Sequence, residues 1–370
     1  MVRAAVLTAP DTFELLDLPE PVLRADNAIV RVELCGTCGT DVKYAAGRLN
    51  GPIPMILGHE IVGRVEAIGD VAAARHGVAV GDRVVLESSI PCWSCPACRS
   101  GAYRLCPTKG GYGTRSGLAD GSGLWGGLAE VVEVAPGSIV HRVPPSVSPA
   151  AAVGMELLAN GYQWLLRKGG LLPGQRVLIQ GCGPQGLCAA LVAARVGAAD
   201  ITVTGLERDT ARLAFAAGTA RARTVVVDPE ADAATQLASI GGDFDVVLDV
   251  TGDPRALATA AQHLRPQGTL VLASVVGRGV AVPFRTDELV YREIRVQAVL
   301  SKDEQAVVAA RTIVSTDHAL QAALERLVTH VFPLDEAAAA IGARAAGLDG
   351  FVKAAVRPAF DMSAVEPGAA

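Results

Sequence analysis

Hydrophobic residues fall into two rhythms along this chain. Through the first ~145 residues they come in short Val/Ile-rich runs, as in AIVRVELCG, EIVGRVEAIG and DRVVLES, each closed by a turn residue or a small polar one, which predicts β-strands. The segment VPPSVSPAAAVGMELLANGYQWLLRKGGLLPGQ then changes register, with a Pro-rich entry, a helical apolar pattern and a Pro-Gly break. From Arg176 onward strands alternate with helices: RVLIQ, a helix from Gln185 to Val196, ITVTG, TVVVD, FDVVLDVTG and TLVLASVVG. That alternation is the pattern of a doubly wound parallel sheet, so the fold class is α/β. After Val290 the pattern is mixed and ends in a strand-like FVKAAVRP. There is no internal repeat, and the run AAAAIGARAAG reads as helix.

Bulk properties narrow the class. The 370 residues suffice for two domains, and 50% hydrophobic with 19% charged residues marks a globular chain. A net charge of −5 and the absence of a basic run argue against nucleic-acid or anionic-membrane partners. No uncharged apolar stretch reaches the ~18 residues a membrane span needs. The N-terminal MVRAAVLTAPDTFELLDLPEP lacks the apolar segment of a signal peptide. These features predict a cytoplasmic, reducing setting, where clustered cysteines are metal ligands more often than disulfides.

One such cluster is dense. Cys92, Cys95, Cys98 and Cys106 are spaced C-x2-C-x2-C-x7-C, which suits tetrahedral zinc with no open ligand position. A second motif, GCGPQG at 181–186, follows the strand RVLIQ and opens a helix. Gly181 permits the tight turn, Gly183 the approach of a pyrophosphate and Gly186 close packing, with Pro184 and Gln185 between them, so dinucleotide binding is expected. The position that chooses NAD or NADP is Gly205, where a carboxylate is usual. Arg208 and Arg212 can reach a 2′-phosphate and Glu207 the ribose hydroxyls, so the cofactor is NAD or NADP.

Two upstream motifs complete a pattern. CGTCGTD carries Cys38, Thr40 and Asp41, and LGHEIVGRVEAIG carries His59 and Glu60 with Gly63 and Gly69 behind them. With the four-cysteine loop and GCGPQG, this order resembles the zinc-dependent medium-chain alcohol dehydrogenases over almost the whole chain, in the polyol, threonine and secondary-alcohol branch. The resemblance implies a mostly β, GroES-like catalytic domain over 1–148 with its zinc loop at 92–106, a Rossmann NAD(P)-binding domain over 149–290, and a segment 291–370 returning to the first.

It further implies two zinc ions per chain. A catalytic one is held by Cys38, His59 and Glu156, with Glu60 as a movable carboxylate and Asp41 behind the ligands; Cys92, Cys95, Cys98 and Cys106 hold the structural one. A Cys/His/carboxylate set leaves a coordination position open for an alcohol, whose pKa the metal lowers before hydride passes to the nicotinamide. Thr40 matches the hydroxyl that passes on the substrate proton, and Lys43 stands where some members carry a relay histidine. The expected substrate is a small secondary alcohol or polyol, or the matching carbonyl, and the expected assembly a homodimer or homotetramer. The alternatives are a carbonyl or conjugated-alkene reductase of the same superfamily, a zinc-free quinone-reductase type, and a non-enzymatic zinc knuckle. Cys35, Cys182 and Cys188 read as packing residues, and His76, His141, His263, His318 and His330 receive no role.

Overall fold

Strand Ala28–Gly36 buries Ala28, Val30, Val32 and Leu34 and turns Arg31 to solvent, the period-two signature of a sheet with one apolar face. The computed structural model, which describes residues 1–277 and 279–358, builds a unit from 1–153 and 324–358 around that strand. Its seven-stranded sheet runs in the order Val140–Val143, Arg83–Leu86, Glu60–Ile68, Ala28–Gly36, Lys353–Arg357 and Val328–Pro333, with Val131–Val134 also pairing with Ala28–Gly36. A three-stranded sheet of Thr12–Leu18, Val2–Ala9 and Met55–Ile56 adds to it. Leu7, Val30, Ile56, Ile61, Leu86, Leu128 and Val132 share one buried core. Register matters here: Gly36 lies opposite Glu60 on one side and Ala355 on the other, so the C-terminal strand comes within reach of the GHE motif. The tail beyond 358, part of the expected returning segment, lies outside the described residues.

The second unit spans 154–323. Its six parallel strands stand in the order Arg223–Val226, Asp200–Gly205, Arg176–Gln180, Phe244–Asp249, Leu264–Leu272 and Arg295–Ala298. This is the 3-2-1-4-5-6 order of a doubly wound sheet, whose reversal beside the first strand marks where ligands bind. Val177, Leu178 and Ile179 are wholly buried, as the unbroken apolar run RVLIQ requires of a strand covered on both faces. The unit runs past Val290 because Arg295–Ala298 pairs with Leu264–Leu272 as the sixth strand. The apolar segment after Ser148 forms helix Pro149–Gly161, which relaxes into a π-helical stretch, Tyr162–Lys168. Among the described residues no helix is long and apolar enough to cross a membrane.

Candidate functional site

The four-cysteine loop is shaped by local caps. Cys95 is the N-cap of the short helix Pro96–Arg99, and its sulfur accepts the Cys98 N–H at 3.4 Å. Trp93 takes the left-handed conformation (φ 57°), and a 3-10 turn, Tyr103–Leu105, delivers Cys106. The four sulfurs lie within 4.8 Å of one another, and all four thiols are free. The Ser94 hydroxyl brings the Cys92 thiol down to about 5, while burial drives Cys98 up to about 12. Four sulfurs this close cannot all be thiolates without a cation among them, so the set fits zinc in a closed site.

Beneath this loop lies a buried network that the sequence reading missed. The Tyr103 hydroxyl contacts Glu87 Oε1 and Oε2 at 3.1 and 2.8 Å, and His141 Nε2 lies 2.8 Å from Oε1. All three residues are buried. His141, given no role from the sequence, thus holds a carboxylate under the lobe.

The other cluster gathers distant segments. Cys38, His59 and Glu60 present ligand atoms within 4.8 Å of one another. Asp41 ties the first two together: its Oδ2 accepts the Cys38 N–H at 2.8 Å, and its Oδ1 accepts the Gly58 N–H at 3.2 Å and lies 3.3 Å from His59 Nδ1. That approach sets Nδ1 beside a carboxylate without a hydrogen bond and leaves Nε2 as the other nitrogen able to ligate. Burial pulls the His59 pKa down, but Asp41 and then Cys38 outweigh it and lift the value well above the usual one. Thr40 Oγ1 lies 3.7 Å from Cys38 Sγ. A soft sulfur, an imidazole and a carboxylate converging on one point fit zinc as a donor set.

Glu60 has a partner that sequence patterns concealed. Lys353 is buried, with Nζ 2.5 Å from Glu60 Oε2 and donating to the Thr37 carbonyl at 2.8 Å. Burial raises the Glu60 pKa against the opposing pull of Lys353, whereas Lys353, itself buried, is held above its usual value by Glu60. The sole sequence signal for this lysine was its place inside an apolar terminal strand. Glu156 belongs to the second unit, where it is buried and ion-paired with the equally buried Lys302. Lys302 also went unnoticed in the sequence.

The glycine turn takes the shape its motif requires. Gly181 has a positive φ of 103°, and a Cβ on Gly186 would sit 2.0 Å from the Gly181 carbonyl oxygen. A Cβ on Gly183 would meet nothing within 4 Å, which leaves open the space a pyrophosphate needs. Helix Pro184–Val196 starts there, with Pro184 in its first turn and Gly197 closing it at φ 82°. Gly205 ends the neighbouring strand. Glu207 and Arg208 beyond it are exposed. Arg212 does not join them: it is buried, with Nη1 3.3 Å from Asp209 Oδ1, because it lies within helix Thr210–Ala220 rather than on the loop.

Comparison with known proteins agrees with this layout. Residues 24–145 match the family described as alcohol dehydrogenase GroES-like domain, and 184–315 the family described as zinc-binding dehydrogenase. A Mycobacterium tuberculosis protein whose name reads "Probable alcohol dehydrogenase" is 41% identical over 324 residues, covering 84% of this chain and 86% of that one. An L-threonine 3-dehydrogenase of Yersinia pseudotuberculosis is 27% identical over 95% of this chain and 98% of its own. Among solved structures, an alcohol dehydrogenase from Thermus sp. ATN1 superimposes with a TM-score of 0.82 at 27% identity, covering 96% of this chain and 99% of its own. A Sinorhizobium meliloti protein assigned as a zinc-binding dehydrogenase, solved with NADP, gives 0.82 at 26% identity over 97% and 99%.

Proposed function

The chain belongs to the zinc-dependent medium-chain alcohol dehydrogenases, and from that premise we propose that its reaction is hydride exchange between a secondary alcohol or polyol and NAD(P). It is an oxidoreductase of alcohols that uses zinc and NAD(P). In the proposed assignment Cys38, His59 and Glu156 hold the reacting zinc, and Cys92, Cys95, Cys98 and Cys106 hold the structural one. The observation that carries its Cys38 and His59 part is the convergence of these two with Glu60 around Asp41, in a cluster separate in sequence from the four cysteines, while Glu156 as third ligand rests on the family resemblance alone.

When bound, zinc polarises the substrate oxygen as a Lewis acid and the nicotinamide exchanges the hydride. The chain's own residues do the rest. Asp41 places a carboxylate beside His59 Nδ1 and fixes the entry of the helix that starts after Cys38. Thr40 takes the substrate proton through its hydroxyl, in place beside Cys38. Glu60 is kept in place by Lys353. Gly181, Gly183 and Gly186, with Pro184 and Gln185, receive the pyrophosphate at the start of helix Pro184–Val196.

The assembly proposed is a homodimer or homotetramer formed through the open edge of the parallel sheet. Support comes from strand Arg295–Ala298, which ends that sheet with Val290, Tyr291, Val296 and Leu300 exposed along or beside it. A reducing cytoplasm suits eight free thiols. A panel of secondary alcohols, polyols and their carbonyls, run in both directions with both nucleotides and alongside zinc analysis, tests the proposal. Two zinc ions per chain and turnover of a secondary alcohol or polyol are expected. One ion per chain, or activity confined to conjugated alkenes, would overturn it.

A further inference from the structure

The end of strand Asp200–Gly205 is built unlike an NAD-selective site. The strand is in register with Arg176–Gln180, and the Gly181 N–H donates to Thr204 Oγ1 at 3.3 Å, so Gly205 sits beside the glycine turn. In this fold the residue there meets the adenosine ribose, and a carboxylate on it binds both hydroxyls and repels a 2′-phosphate. Here a side chain would have to displace its neighbours. A Cβ on Gly205 would lie 2.6 Å from Cys182 Sγ and 3.0 Å from Leu213 Cδ2. Gly205 has no left-handed backbone to explain it. The glycine is present because its neighbours fill the space.

The surrounding charges favour a phosphate. Cys182 is 2% exposed, and burial, with help from Asp209, pushes its thiol up to about 12, so the wall beside Gly205 is neutral sulfur. Asp209 is engaged by buried Arg212 and accepts the Leu206 N–H at 3.2 Å, which turns its charge away from solvent. Arg208 is exposed, three residues beyond the closed position, and among the described residues makes no ion pair. Glu207 beside it is the competitor. A guanidinium meets a phosphate dianion through paired hydrogen bonds, and Glu207, equally exposed beyond the strand end, is the group the test must weigh against it.

We infer that this chain selects NADP over NAD, with Cys182 closing position 205 to a carboxylate and Arg208 receiving the 2′-phosphate. The inference rests on the reading of 181–186 as a dinucleotide site. The test is calorimetric titration of the full-length protein with adenosine 2′,5′-bisphosphate and with 5′-AMP, probes that need neither zinc nor turnover. The bisphosphate should bind at least about tenfold tighter, by a margin that shrinks as salt rises. Arg208→Ala should reduce that margin to about threefold or less while changing 5′-AMP affinity by under about twofold. Gly205→Asp should weaken both probes, and pairing it with Cys182→Ala should turn the preference toward 5′-AMP. Equal or tighter binding of 5′-AMP by the natural chain overturns the inference, as does a Glu207→Gln variant that loses about tenfold in 5′-AMP affinity. A folded protein that binds neither probe overturns the dinucleotide reading as well, which separates the two failures.

Discussion

The two metal clusters of the first unit are assembled by opposite means. In the four-cysteine loop every proposed ligand comes from one 15-residue segment, Cys92 to Cys106, positioned by a helix cap, a left-handed tryptophan and a 3-10 turn. Around Cys38 and His59 the parts come from three separate stretches, and two buried charges, Asp41 and Lys353, set their electrostatics. The first design spends its thiols on closure. The second keeps acid, base and proton-carrying groups close together, which stability alone does not require. The proposed assignment puts the chemistry with the cluster gathered from distant segments.

Removing one ligand from each is the strongest test of that contrast. Cys38→Ser should lower turnover by on the order of 10³-fold or more, about 4 kcal/mol of transition-state stabilisation, with nucleotide affinity retained. Steady-state kinetics and nucleotide titration read the two quantities separately. Loss of nucleotide binding in a folded Cys38→Ser protein would break the division of roles.

The support beneath the second cluster comes next. Lys353→Met strands the Glu60 carboxylate in a buried site, and breaking such a pair costs about 3–5 kcal/mol. Denaturant unfolding should show it, and a double variant with Glu60→Gln should recover most of the loss. If Lys353→Met alone is as stable as the natural chain, the pair is not a support and the contrast weakens.

How much of this was legible in the sequence follows from distance along the chain. RVLIQ with GCGPQG, and the four-cysteine loop, are local, and their geometry matches their spacing because neighbours in sequence set it. Grouping Cys38 with His59 and Glu60 needed a family resemblance, and Lys353 was invisible because lysine reads as surface unless its partner is known. Only the pairing of Gly36 with both Glu60 and Ala355 brings that lysine in. The same holds for Lys302 beside Glu156, for His141 beside Glu87, and for the Cys182 thiol that closes Gly205. The burial of Arg212 against Asp209 was likewise not legible, because it depends on how helix Thr210–Ala220 packs.

A smaller effect is expected at the closed site. Cys98→Ser should destabilise the first unit by about 3 kcal/mol, the loop-closure entropy of a cross-link spanning about 15 residues, while nucleotide affinity stays within about twofold. Thermal melting with zinc analysis checks this. An unchanged melting temperature in a variant that has lost the loop's zinc would sink the idea that this ion is a staple.

The network under the lobe gives the finest discrimination. Tyr103→Phe removes one hydroxyl from Glu87 and leaves His141 Nε2 on Oε1, so the carboxylate is weakened rather than abandoned. A hydrogen bond to a charged acceptor contributes about 1.5–3 kcal/mol, and the ring's packing against Trp93 at 5.7 Å survives the change. The expected loss is therefore about 2 kcal/mol in denaturant unfolding, with two zinc ions per chain retained. Turnover should be unchanged, since Tyr103 packs with Cys98 and Cys106 of the closed site. If turnover falls while stability holds, the lobe communicates with the chemistry through Glu87 and strand Arg83–Leu86, and the two clusters are parts of one device. If stability falls and turnover holds, Tyr103 anchors the closed site to the sheet and does nothing else.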